Sequence, residues 1–136
     1  MIIKSMTRSS KSFSQLYDYL TRDKSNFSFS KNTYSNAKDK KNLIKEFIKN
    51  SEYLDDSRGK VFLYHELISL NPNTLSLDEQ KKILLDLANK YLDIRAQNNL
   101  SFGVIHEDKN HIHLHLMISS NEIESDKRVR LSKKEF

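Results

Sequence analysis

Four of the chain's five histidines fall within ten residues, at His106, His111, His113 and His115. The last three alternate with Ile112, Leu114 and Leu116 in the run "HIHLHL". Side chains along a strand point to alternate faces. The three imidazoles therefore project together while the aliphatic side chains turn into a core. Neutral imidazole is the commonest protein metal ligand, and three or four converging rings make a divalent-cation site. One histidine in a strand is ordinarily a hydrogen-bonded core residue or a solvated one. Four in this alternation point to a ligand set, since protonated rings packed so closely repel one another. His106 comes from the neighbouring strand of a hairpin. If "EDKN" is the whole turn, His106 faces His111, and His106, His111 and His113 form the compact set. If the turn is longer, His106 lies across from His113, and His115 completes the set. Spacing leaves both open, and an all-imidazole set leaves the ion open among first-row divalent metals.

A cation held by three imidazoles keeps positions free for a substrate oxygen and acts as a Lewis acid on a carbonyl or phosphoryl group. The attacking group must come from elsewhere. The chain has no cysteine and no G-x-S-x-G turn. Tyr19, in "YDYLTRD", is the candidate. Phe13, Leu16, Tyr17 and Leu20 follow the i, i+3, i+4, i+7 spacing of a helix's apolar stripe. Tyr19 lies two residues past Tyr17, about 200° further round, so its phenol is off that stripe. Arg22 and Lys24 nearby supply cations for a phosphate. A lone exposed tyrosine is ordinarily just surface; this one gains weight from the histidines.

The elements that must position these groups are legible in part. "MIIKSMTR" predicts a first strand, and "SKSFSQLYDYLTRD" a helix with Ser12 or Ser14 at its start. "KSNFSFSKNTYSNAKDK" shows no period, so residues 23–37 are expected as a surface loop. "KDKKNLIKEFIKNSEYL" predicts a basic amphipathic helix, and "GKVFLYHELISL" a strand stopped by "NPN". Ser76 caps a long helix with acids in its first turn. "LSFGVIHE" and "HIHLHLMIS" predict a hairpin joined by "EDKN". The basic tail "SDKRVRLSKKEF" starts another helix. The order β-α-(α)-β-α-β-β predicts an α+β fold, an antiparallel sheet with a central histidine-bearing hairpin flanked by helices.

At 136 residues the chain suits one domain, 1–136, with a real core. Its abrupt end within a helical stretch allows it to be the N-terminal part of a longer protein. No apolar run is long enough to span a membrane, and no signal-like block opens the chain. The absence of cysteine fits a reducing cytoplasm and excludes disulfides and thiolate sites. With 23 Lys+Arg against 18 Asp+Glu the net charge is +5. The pI near 9.3 is compatible with a polyanion partner.

The first strand, the helix with "DYLTRD" and the later "HEDKNHIHLHLMIS" together resemble the plasmid mobilisation relaxases (MobA/VirD2-like) of the HUH endonuclease superfamily. His106-Glu107-Asp108 followed by His113-Leu114-His115 matches that family's histidine motif. The resemblance implies a site-specific endonuclease that nicks single-stranded DNA at a plasmid transfer origin and initiates conjugative mobilisation. Tyr19 would attack the scissile phosphodiester, leaving a 5′-phosphotyrosine. A divalent metal, magnesium or manganese, would sit on His106, His113 and His115, with His111 turned to DNA. Accessory relaxosome proteins would be partners. Ser119 stands where the family often has asparagine. The stretch "YHELIS" offers His65 and Glu66, and Glu66 is the first choice as proton acceptor or outer support for Tyr19. Expected phosphate contacts are Arg8, Lys11, Arg22 and Lys24, with Arg128, Arg130 and Lys133 in the tail. Phe27, Phe29 and Tyr34 either stack unpaired bases or cover the sheet edge. The alternatives are a rolling-circle replication initiator or transposase of the same superfamily, a three-histidine metallohydrolase using metal-bound water, or a DNA-binding module with a structural metal.

Overall fold

The computed structural model describes residues 2–22, 27–55, 61–70, 76–108 and 111–128, apart from the side chains of residues 108 and 111. Along the chain come β1 (Ile2–Arg8), α1 (Phe13–Thr21), β2 (Phe27–Lys31), α2 (Lys40–Ser51), β3 (Leu63–Ser69), α3 (Leu77–Arg95), β4 (Asn99–Asp108) and β5 (His111–Glu122). The strands form one five-stranded sheet in the order β1-β3-β5-β4-β2, with every neighbouring pair antiparallel. The fold is the expected α+β arrangement with the histidine hairpin at its centre.

Directly opposed residues of antiparallel strands share a face, so the register sorts side chains into rows. On one face these read Ile2–Ser69–His113–His106, then Lys4–Leu67–His115–Val104, then Met6–His65–Met117–Phe102. α1 and α2 cover the lower part of this face. Phe13, Leu16, Leu20, Leu43 and Phe47 pack there against Phe102, Val104 and Met117. On the other face, Ile105, Ile112, Leu114 and Leu116 meet Leu84, Ala88 and Leu92 of α3. Each large aliphatic or aromatic side chain so enclosed contributes about 1.5–3 kcal/mol.

Three expectations change. Residues 27–31 are not loop: "FSFSK" is an edge strand paired with β4, Phe27 opposite Ile105 and Phe29 opposite Gly103. A Cβ on Gly103 would lie 2.3 Å from the Phe29 ring, so the glycine gives the ring its seat, and Phe29, partly buried, packs against the core. The hairpin connection is shorter than "EDKN", because Glu107 and Asp108 are strand residues opposite Ile112 and His111. Ser12 occupies the N-cap position of α1 without a side-chain cap bond; its Oγ instead accepts from Arg8, at 3.3 Å. Ser76 does cap α3, accepting from the Glu79 amide at 3.2 Å. The tail beyond residue 128 lies outside the described residues.

Candidate active site

The two-residue connection puts His106 directly opposite His113, and the pleat puts His115 one row along on the same face. The His106 and His115 ring centroids are 4.4 Å apart. The fifth histidine joins them. His65 stacks on His115 with centroids 5.3 Å apart, its Nε2 3.0 Å from His115 Nδ1. His106 Nε2 lies 2.5 Å from the Leu20 carbonyl oxygen. A carbonyl only accepts, so this nitrogen donates. A ligating imidazole typically donates its other N–H to a backbone carbonyl in this way. The same bond ties the histidines to the residue after Tyr19.

Two of these histidines are held toward the neutral form. Burial, reinforced by the neighbouring His106, His65 and His113, holds His115 down at about 3. His65 is also lowered, by burial first and then by Arg8 and His106. Neutral imidazole is the form that binds a cation. The donors therefore fit a divalent metal in type, and His115 in protonation as well. Their ring nitrogens turn toward one another and toward Leu20, and among the described residues no three His, Asp or Glu side chains converge on one point.

The two tyrosines of α1 are dealt with differently. Tyr17 is core: it stacks on Phe102 with centroids 4.6 Å apart, and its hydroxyl donates to the Ala37 carbonyl at 2.7 Å. Burial, then Asp18 and Asp39, raises its pKa. Tyr19 is 45% exposed. Its ring stands edge-on to His65, centroids 6.4 Å apart, under the Arg22 guanidinium at 4.8 Å.

Glu66 is not in this site. Adjacent strand residues face opposite ways, so with His65 beside the histidines Glu66 is under α3. There it is fully buried, accepts from Ser5 at 2.6 Å and Tyr91 at 2.5 Å, and pairs with buried Arg95 at 3.5 Å. Both carboxylate oxygens serve the opposite face, which rules Glu66 out as proton acceptor for Tyr19. His65, on the same strand, is the residue that meets the imidazoles. Its signal was that "YHELIS" carries the one histidine outside the hairpin.

Of the expected phosphate contacts, Arg8 lies in the row below His65 and affects its titration. Lys11 sits over the Phe62 ring at 5.7 Å, and Arg22 over Tyr19. Arg128 is at the far end of the sheet, bridged to Asn121, about 27 Å along β5 from His113 at 3.4 Å per residue. Lys24, Arg130, Lys133 and the His111 side chain lie outside the described residues. Ser119 is structural: its Oγ accepts from the Leu100 amide and donates to the Asn121 carbonyl. Tyr34 is fully exposed.

A family model described as relaxase, MobA/VirD2-like, nuclease domain, matches residues 19–136. No curated protein matches the chain. No helix among the described residues is long and apolar enough to cross a membrane.

Proposed function

We propose, since this chain belongs to the MobA/VirD2-like relaxase nuclease family, that it nicks single-stranded plasmid DNA at a transfer origin with Tyr19 as nucleophile. The observation that carries this reading is one exposed phenol beside a cluster of imidazoles. The Tyr19 oxygen bonds to phosphorus, the bond to the 3′ oxygen breaks, and the released 3′ oxygen takes a proton. Tyr19 keeps the 5′-phosphate. A tyrosine hydroxyl with an ordinary pKa near 10 is largely protonated at pH 7, so attack needs a proton acceptor. His65, neutral and edge-on to the phenol ring, receives that proton directly or through one water. The Arg22 cation over the ring holds a positive charge where the scissile phosphate would sit.

His106, His113 and His115 are the residues that would hold a divalent metal, magnesium or manganese. When bound, it supplies charge neutralisation on the non-bridging phosphate oxygens. The chain's own residues set the rest: Leu20 fixes the His106 tautomer, and His65 fixes the His115 ring. Transfer-origin DNA and accessory relaxosome proteins are the partners.

Incubating the full chain with manganese and a labelled single-stranded origin oligonucleotide, then denaturing it, tests the reading. The label should stay with the protein, and Tyr19→Phe should release it. Cleavage without attached label would point to metal-bound water as the nucleophile instead.

A further inference from the structure

The histidine-bearing face is covered unevenly. Leu63, Phe102 and Met117 at its centre are fully enclosed, but its β1 side is open. On that edge strand Ile2 and Met6 are 58% and 46% exposed, with exposed Lys4 between them and half-buried Leu67 and Ser69 alongside. Ser69 stands directly opposite His113, and Leu67 opposite His115. The ledge and the imidazoles are thus one continuous surface.

The charge on this surface has one sign. Every side chain that β1 and β3 send to this face is apolar, neutral or cationic, and the only acid of the two strands, Glu66, is on the other face. Exposed apolar side chains on a sheet edge ordinarily mark a contact surface. Aliphatic side chains suit the faces of unpaired bases, and the polarisable sulfur of methionine interacts well with aromatic rings. A lysine between them suits a phosphate. Alternate residues lie about 7 Å apart along a strand, so Ile2, Lys4 and Met6 form a regular series of contacts for an extended polynucleotide.

We propose that the single strand flanking the scissile phosphate crosses β3 from the histidines onto β1, with bases against Met6 and Leu67 and a phosphate on Lys4. This rests on the nickase reading above and adds the route of the substrate. A second copy pairing through the free edge of β1 is the competing occupant. Lysine and arginine on an edge strand oppose such pairing, and the cations Lys4 and Arg8 favour DNA.

The test uses the full chain with a photoreactive benzoylphenylalanine at position 6, and at Ile94 as control. Ile94 is 81% exposed on α3, which packs on the sheet's other face. Each variant is irradiated with a fluorescent oligodeoxythymidine whose binding is followed by anisotropy. Crosslinking to DNA from position 6 and not from 94 supports the ledge. Binding with no crosslink at 6, or a crosslink from 6 to another copy of the protein, overturns the ledge and leaves the nickase reading standing. No binding by the unsubstituted protein overturns both. Independently, Lys4→Gln should flatten the log affinity against log salt plot by about 0.7, the loss of one single-strand phosphate contact. An unchanged slope removes Lys4 from the route.

Discussion

Tyr17 and Tyr19 stand two residues apart on one helix, and their surroundings give them opposite roles. Tyr17 is held by the Ala37 carbonyl and the Phe102 ring. Tyr17→Phe should therefore cost about 1–3 kcal/mol, the penalty of a buried carbonyl left without its donor, seen as a lower melting temperature with the DNA adduct still formed. His65 should behave the other way. Loss of an outer-shell partner typically costs 10–100-fold in metal affinity or activity. His65→Ala should slow adduct formation by about that factor and weaken manganese binding measured by calorimetry, in a protein that stays folded. His65→Gln, which keeps a hydrogen-bonding end near His115 but takes no proton, should recover part of the manganese binding and little of the rate. Recovery of the full rate by glutamine would remove His65 as the proton acceptor.

At the level of the element, β3 shows why half of the site was legible and half was not. "HIHLHL" alternates cleanly because one face of β5 is histidine and the other is core, so the shared face of His111, His113 and His115 could be read directly. β3 is buried on both faces, with Leu63, Tyr64, His65 and Glu66 all enclosed. No alternation marks which of its two polar residues meets the imidazoles; only the pairing of His65 with Met117 decides it. The turn was read too long because Glu107 and Asp108 are polar, yet both sit in the strand. β2 was missed because the alternation of "FSFSK" is short and set among Ser and Asn. Glu66 and Arg95 now carry an element-scale prediction. Glu66→Ala removes the carboxylate that pairs with buried Arg95, and breaking such a pair costs about 3–5 kcal/mol. The denaturation midpoint should fall accordingly, while the fraction that remains folded still forms the adduct. Loss of the adduct at unchanged stability would return Glu66 to the chemistry. Gly103→Val should also destabilise, since any Cβ there meets the Phe29 ring.

For the whole molecule, the lowered histidines predict acid sensitivity of a definite sign. An unfolded chain protonates its imidazoles near 6.5, whereas the folded protein holds His115 neutral down to about 3. Between those values the unfolded state binds more protons, so stability rises with pH across the window. It is fully present above 6.5 and declines as the pH falls toward 3. Denaturation midpoints measured through this range should show that decline, and His115→Gln should make it shallower. A midpoint that is flat with pH would mean these rings are more solvated than their packing indicates.

The assignment of the nucleophile has the most direct test. Trypsin cuts after Lys11 and Arg22, releasing "SFSQLYDYLTR" with both tyrosines. After reaction with an origin oligonucleotide and nuclease trimming, fragmentation of this peptide should place the added nucleotide on Tyr19. The nucleotide on Tyr17, or on any other residue, would contradict the account.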